Sequence, residues 1–162
     1  MSQTPWWKGR HGESYVVVQL VLIALLLFGP PTLSGWPAWT FPFVQLGSTV
    51  GGIFLVIGVS FLFFGMLKHG KNLTAVPYPK EQGTLIESGP YKLVRHPMYC
   101  GGLFVAFGWA LWLHGWLTLV YAIVIFVFLD IKARREEVWL KEKFPGYAAY
   151  QERVHKLIPF IY

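Results

Sequence analysis

Charged residues are scarce in this chain, and cysteine is almost absent. Only 14% of the 162 residues are Asp, Glu, Lys or Arg, whereas 54% are hydrophobic. Soluble domains carry about 25% charged residues, so the composition argues against a water-soluble globule. The single cysteine, Cys100, excludes an internal disulfide. The chain also lacks the glycine-rich motifs of soluble nucleotide folds, and its histidines show no metal-ligand spacing, so we predict no metal site.

The chain instead contains four long apolar runs. They cover residues 15–32, 44–67, 99–113 and 116–129. A membrane-spanning helix needs about 17–25 apolar residues, so the first two runs qualify and the last two are short. The last two are joined at His114-Gly115, which predicts a tight helical hairpin. Aromatic residues make up 18% of the chain, which suits a protein with two membrane interfaces.

The positions of the few charges predict the topology. The loop 30–43 and the hairpin tip carry no Asp, Glu, Lys or Arg, so the charges fall before the first run, between the second and third, and after the fourth. Four spans place all three groups on one face, and the positive-inside rule makes that face cytoplasmic. We predict an all-α integral membrane bundle of about four transmembrane helices, with both termini cytoplasmic. The short chain favours a bacterial inner membrane.

The net charge of +6 has two interpretations. In a soluble protein it would suggest nucleic acid. In an apolar chain, the positive-inside rule and anionic lipid headgroups explain it better. We therefore expect membrane lipids as partners and no nucleic acid.

Two polar segments remain outside the apolar runs. The loop 68–97 is rich in proline and glycine, which predicts irregular, turn-laden structure. Residues 131–144 mix apolar and charged positions, which predicts an amphipathic cytoplasmic helix that continues from the fourth span and breaks at Pro145-Gly146.

The string GPYKLVRHPMYCGG, residues 89–102, is the first candidate for chemistry. Pro97 suits the first turn of a helix, so His96 is expected at the mouth of the third span. Free backbone N–H groups at such a helix start can bind an anion. The alternative is that these basic and aromatic residues only anchor the span at the interface, and from this string alone the two interpretations are about equal.

The second candidate is the string 133–159, which contains Glu136 and Glu137. Ion pairs on a solvated helix are the ordinary explanation for such a charge run. The functional interpretation requires the two strings to meet, which the hairpin favours because it makes their ends neighbours. A carboxylate there could bind ribose hydroxyls or a cationic ligand, with Tyr147 and Tyr150 covering an aromatic ring or a sulfonium.

Together the two strings resemble the isoprenylcysteine carboxyl methyltransferase family and the related phospholipid methyltransferases. The resemblance covers roughly residues 72–162. The residues that carry it are Leu85, Ile86, Gly89, Pro90, Tyr91, Arg95, His96, Pro97, Tyr99, Gly101, Glu136, Glu137, Leu140, Phe144, Tyr147, Tyr150, Leu157, Ile158 and Pro159. Two features depart from the pattern. The spacing from Phe144 to Tyr147 is one residue short, and Lys132 stands where the family more often has arginine.

The resemblance implies a membrane-embedded methyltransferase that binds S-adenosylmethionine in a cytoplasmic pocket. Glu136 would be the carboxylate contact of the cofactor. The positions that would line the cofactor are Thr84, Leu85, Ile86, Tyr91, His96, Pro97, Met98, Tyr99 and Glu136. Basic residues that would orient the substrate are Lys132, Arg134 and Arg135. Within a single membrane domain, 1–162, residues 1–67 would shape the substrate entrance and 68–162 would form the methyltransferase core.

The implied acceptor is a lipophilic carboxylate, amine or thiol that enters sideways from the bilayer between helices with small residues. Close helix packing is the simpler interpretation for most of the candidate glycines, which are Gly51, Gly52, Gly58, Gly65, Gly101, Gly102 and Gly108. Two alternatives stay open: a membrane reductase of the same superfamily that uses NADPH, and a non-enzymatic membrane scaffold. The sequence leaves the oligomeric state undetermined.

Overall fold

The computed structural model describes residues 12–72, 78–79 and 82–162. These residues form helices and connecting loops without a β-strand, apart from an isolated bridge between Val94 and His155. The predicted all-α class is confirmed. The α-helices are α1 (Glu13–Phe28), α2 (Phe43–His69), α3 (Pro97–Trp112), α4 (Trp116–Lys143) and α5 (Tyr147–Arg153), with short 3-10 turns at Gly70–Asn72 and Gly89–Lys92. Residues 1–11, where most of the charges before the first run lie, fall outside the described part.

Each apolar run forms a helix, but the helices differ in length. Among the described residues, α2 with 27 residues and α4 with 28 are long and apolar enough to cross a membrane. Helices α1 and α3 are apolar but have 16 residues each. At a rise of about 1.5 Å per residue, each reaches about 24 Å, short of a hydrocarbon core of about 30 Å. The count of four spans therefore stays a prediction.

Helix ends follow the local sequence. α3 begins at Pro97, whose missing N–H and fixed φ suit a first turn, as expected. α4 runs without interruption past the end of its apolar stretch and ends at Lys143, before Pro145. This confirms the predicted continuation of the fourth run into a charged helix. The hairpin joins α3 and α4 through three residues, 113–115.

Glycines bring α2 and α3 into close contact. A Cβ atom built on Gly58 would lie 2.8 Å from the carbonyl oxygen of Gly101, and one on Gly51 would lie 2.8 Å from that of Gly108. Side chains there would force the two backbones apart. The interpretation of these four glycines as packing residues is confirmed. Gly102 faces another way and lines a cavity.

The core lies between α3 and α4, and α1 packs against α4. Its centre combines small and branched side chains, such as Ala106 and Ala110 of α3 with Ala122 and Leu129 of α4, and Leu26 of α1 packs against them. The outer faces carry exposed apolar side chains, as lipid-facing helices do.

The two polar strings meet beside the α3 start. The backbone N–H of Arg95 donates to the carbonyl of His155 at 2.8 Å, and that of His96 donates to Lys156 at 3.2 Å. The segment after α5 is thereby held against the loop that precedes α3. The expectation that the strings come together is confirmed.

Candidate active site

A cavity of about 550 Å³ lies at the junction of all five α-helices and the loop before α3. Ligand pockets span about 300–1,000 Å³, so one organic molecule or two parts of a reacting pair fit. One end of the cavity is polar and includes His69, Asn72, Arg95 and Glu136. The other end is apolar. The residues that line it include Leu20, Ile23, Leu62, Val105, Ala106 and Ile125.

All nine positions predicted to line a cofactor border this cavity. They are Thr84, Leu85, Ile86, Tyr91, His96, Pro97, Met98, Tyr99 and Glu136. They come from three elements: the loop before α3, the first turn of α3 and the charged part of α4. The fold thus brings one set of sequence-predicted residues to one wall.

Glu136 is held in place by the start of α3. The hydroxyl of Tyr99 donates to Oε2 of Glu136 at 2.8 Å, and Nδ1 of His96 lies 3.7 Å from the same oxygen. The rings of His96 and Tyr99 stack with centroids 5.3 Å apart. An oriented carboxylate therefore stands at the polar end of the cavity, where it can accept hydrogen bonds from hydroxyl or ammonium groups.

Glu137 has a different environment, which the sequence did not distinguish. Its Oε1 accepts from Nε of Arg95 at 2.7 Å and from the hydroxyl of Tyr147 at 3.3 Å, and it lies 3.1 Å from Nε2 of His96. Its Oε2 accepts from Nε2 of Gln151 at 2.8 Å. Glu137 is 8% exposed. It ties the α3 start, α4 and α5 together, so it positions two cavity residues, His96 and Tyr147.

Lys132 lies where the polar and apolar ends of the cavity meet. Its side chain is buried, at 5% exposure, and lines the cavity one turn before Glu136. Its Nζ donates to Oε1 of Gln19 on α1 and lies 5.0 Å from the centre of the Tyr99 ring. Gln19 was missed by the sequence reasoning. The only indication was its polarity within an apolar run, since polar groups in such segments tend to be functional.

The other two basic residues predicted to orient a substrate do not reach the cavity. Nε of Arg134 donates to Asp130 at 2.7 Å, and its side chain is 65% exposed. The guanidinium of Arg135 lies 4.8 Å from the Trp139 ring. Successive residues of an α-helix point about 100° apart, so Arg134 points to nearly the opposite side of α4 from Lys132. Arg135 lies nearer to the Lys132 side, but its side chain is exposed and packs on Trp139. The structure therefore brings Lys132 to the cavity and leaves Arg134 and Arg135 outside it.

Buried phenols close the polar end. Burial raises the pKa of Tyr91, Tyr147 and Tyr150 well above the usual value, with nearby carboxylates adding to the effect. They therefore stay neutral hydrogen-bonding groups. Tyr150 donates to the carbonyl of Tyr91 at 2.5 Å, and the hydroxyl of Tyr91 lies 2.6 Å from Nδ1 of His69. His69, at the end of α2, is a second cavity residue that the sequence did not indicate.

No group of three or more metal-type side chains comes together among the described residues. The fold and the site define a helical membrane-type protein in which one cavity is lined by both polar and apolar side chains.

Comparison with known proteins identifies the family. A family model described as phospholipid methyltransferase matches residues 46–146, more than half of the chain. The chain therefore belongs to the phospholipid methyltransferase family. The resemblance found in the sequence is confirmed, and with it the membrane character of the protein.

The named relatives include a methyltransferase and a protein named for metal resistance. The chain is 32% identical over 118 residues to a "Probable protein-S-isoprenylcysteine O-methyltransferase" of Oryza sativa subsp. indica, covering 70% of this chain and 62% of that protein. It is 31% identical over 153 residues to "Cobalt-zinc-cadmium resistance protein CzcN" of Cupriavidus metallidurans, covering 94% of this chain and 64% of that protein. The chain thus spans less than two thirds of the length of either relative.

A solved structure shows the same fold. It is described as the eukaryotic intramembrane Ras methyltransferase ICMT (isoprenylcysteine carboxyl methyltransferase). The superposition has a TM-score of 0.65 at 22% identity and covers 99% of this chain and 55% of that one.

Proposed function

We propose that this protein transfers a methyl group from S-adenosylmethionine to a lipophilic acceptor. One observation carries the proposal: a single cavity joins a polar chamber, lined by every predicted cofactor position, to an apolar chamber lined by α1, α2 and α3. A water-soluble donor and a lipid-soluble acceptor need such adjoining environments.

The residues at the polar end fit the cofactor. S-adenosylmethionine carries ribose hydroxyls, an ammonium group, an adenine ring and a sulfonium. The Glu136 carboxylate can accept from the hydroxyls or the ammonium. Neutral aromatic rings such as those of Tyr91 and Tyr147 suit a cationic sulfur or a flat base. The donor and acceptor groups present therefore match this cofactor.

The protein would contribute to this reaction mainly by positioning the methyl donor and the acceptor. Bound S-adenosylmethionine supplies a methyl group that its positively charged sulfur already activates. The side chains must hold the acceptor in line with that group and exclude water. The interlocked contacts of Glu136, Tyr99 and His96 keep the polar wall in one arrangement, and the apolar wall keeps water out.

Lys132 supports a choice among acceptor classes. Its ammonium is buried at the boundary between the two chambers, where the reacting end of a lipid-like acceptor would lie. A cation there attracts a carboxylate and repels an ammonium. We therefore favour a lipophilic carboxylate over an amine. The apolar tail would extend along Leu20 and Val105.

The proposal includes the orientation of the protein in the membrane. Four spans with both termini in the cytoplasm would open the polar chamber to the cytoplasm, which supplies the cofactor. The positive-inside rule supports this orientation, with a bacterial inner membrane as the location. The acceptor would then reach the apolar chamber from within the bilayer.

Radiolabelled methyl transfer tests the proposal. The protein in lipid nanodiscs would receive S-adenosylmethionine with a tritiated methyl group and one of three acceptors: a prenylated cysteine with a free carboxylate, phosphatidylethanolamine or a prenyl thiol. We expect label in the carboxylate acceptor as an ester that alkali releases as methanol.

Two variants sharpen this assay. Lys132→Met should lower ester formation while S-adenosylhomocysteine still binds, because the ammonium contacts the acceptor and not the cofactor. Arg135→Gln is the matched control and should leave transfer unchanged, since the Arg135 guanidinium packs on Trp139 outside the cavity. Equal loss in both variants, or label only in the amine, would contradict the assignment of the acceptor.

A further inference from the structure

The segment after α5 ends in a closed turn, residues 157–162. The backbone N–H groups of Leu157 and Ile158 both donate to the carbonyl of Tyr162 at 2.7 Å, and the N–H of Tyr162 donates back to Ile158 at 3.0 Å. Leu157 is fully buried in the core. The turn is therefore fixed to the bundle.

This fixed turn presents apolar side chains outward. Phe160 is 81% exposed and Ile161 is 77% exposed. Phe160 has a φ of 64°, in the left-handed region that bulky residues rarely adopt. A strained turn that holds two large apolar side chains away from its own core fits an apolar surrounding better than water.

The hydrogen bonds of Tyr162 show the level of the turn along α4. Its hydroxyl donates to Asp130 at 2.9 Å and accepts from Arg134 at 2.9 Å and from Lys156 at 2.6 Å. Asp130 is the first charged residue after the apolar stretch 116–129. The turn therefore lies where α4 leaves the apolar layer, a depth at which tyrosine is enriched in membrane proteins.

Basic side chains surround the turn, each beside an acidic partner. Arg134 and Arg153 have side chains that are 65% and 64% exposed, and they pair with Asp130 and Glu87. A cavity of about 390 Å³ adjoins Ile161 and Tyr162, and its wall includes Arg153 and Lys156 together with Glu152. Cationic groups at this depth attract anionic headgroups.

We propose that the 157–162 turn is a membrane-interface anchor for anionic phospholipid. Phe160 and Ile161 insert between headgroups and acyl chains, and Arg134 and Arg153 contact the headgroup phosphates. The anchor connects to the cavity because the residues just before it, His155 and Lys156, accept backbone hydrogen bonds from Arg95 and His96.

Spin-label accessibility tests the anchor in the full chain. In a Cys100→Ala background, Ile161→Cys carries the label, and the protein is placed in nanodiscs of phosphatidylcholine with or without phosphatidylglycerol. Glu142→Cys is the matched control, because it lies on the same helix as Asp130 and about 18 Å beyond it at about 1.5 Å per residue.

We expect the label at 161 to collide several-fold less with a water-soluble nickel complex than the label at 142, and more with oxygen. We also expect deeper insertion in discs that contain phosphatidylglycerol. Equal nickel access at both positions would overturn the proposal, and equal depth in both lipids would overturn its anionic part. Exclusion of both reagents at 161 would show that another protein surface covers the turn, which also overturns it.

A second variant keeps the test independent of the label. Phe160→Ser combined with Ile161→Ser should remove any gain in melting temperature that the wild-type protein shows on adding phosphatidylglycerol. A gain that persists in the double variant would contradict the anchor.

Discussion

Replacing Glu137 with glutamine tests how the site is held together. The carboxylate of Glu137 receives hydrogen bonds from Arg95, Tyr147 and Gln151 and touches His96, and the side chains of the Arg95–Glu137 pair are each only 10% exposed. Glutamine keeps the size of the side chain. Its oxygen can serve the Oε1 position, and its amide can face Gln151, which can turn its own oxygen inward. The change therefore removes mainly the charge.

The expected loss of stability follows from the burial of the Arg95–Glu137 ion pair. Removing one partner of a buried ion pair costs about 3–5 kcal/mol, because the other charge stays buried without compensation. We take the lower end, about 3 kcal/mol, because glutamine keeps some of the hydrogen bonds. For a chain of this size, about 2–4 °C of melting temperature corresponds to 1 kcal/mol, so the predicted decrease is roughly 6–12 °C.

The neighbouring glutamate is the matched control. Glu136 accepts from Tyr99 and lines the cavity, and its side chain is 21% exposed. Glu136→Gln should cost only about 0.5–1.5 kcal/mol of stability but should weaken cofactor binding. Thermal unfolding in detergent with a fluorescent reporter compares the two variants. A Glu137→Gln protein that melts with the wild type, beside a strongly destabilised Glu136→Gln protein, would refute this assignment of roles.

Two further predictions concern packing and pH. Gly58→Ala should lower the free energy of unfolding by about 1–3 kcal/mol, because the new Cβ would meet backbone atoms of Val105 and Gly101 at 2.7 and 2.8 Å. Gly52→Ala should lower it little, since the nearest neighbour is a Trp112 side-chain atom at 3.4 Å. Thermal unfolding compares the two variants, and equal stability would contradict the close approach of α2 and α3. The raised pKa of Tyr147 should make stability fall as pH rises above about 10, because the phenol ionises first in the unfolded chain. Tyr147→Phe should make that decline shallower between about pH 9 and 11 without removing it, because burial also raises the pKa of Tyr91 and Tyr150. Melting at each pH measures the slope, and an unchanged slope would show that Tyr147 does not contribute.

The helices were predictable from the sequence because each depends on local order. The run 44–67 appears as α2 (Phe43–His69), and the break near Pro145 follows from the missing N–H of proline. The lengths of the helices were less predictable. The first run, expected to be long enough to span, forms the 16-residue α1, and the fourth, expected to be short, continues into the 28-residue α4. An apolar run shows what a segment can bury and not where its hydrogen bonding ends.

The residues that form the site were predictable from the sequence only in part. The cofactor wall follows a family pattern, so its residues could be carried over one by one. Gln19 and His69 could not be found this way, because each acquires its role from a partner distant in the chain: Lys132 is 113 residues from Gln19, and Tyr91 is 22 residues from His69. The resemblance assigned the cofactor contact to Glu136, but the role of Glu137 in joining the α3 start, α4 and α5 was also hidden. Adjacent helix positions point about 100° apart, and only the packing of α5 shows which one is enclosed.

Calorimetric titration with S-adenosylhomocysteine, the product form of the cofactor, tests the central claim most directly. We predict binding at micromolar strength, about −8 kcal/mol, in detergent or nanodiscs. His96→Ala and Glu136→Gln should weaken it, and Arg135→Gln should not. Absence of binding in both media, or affinity unchanged in the His96 and Glu136 variants, would contradict a methyltransferase site in this cavity.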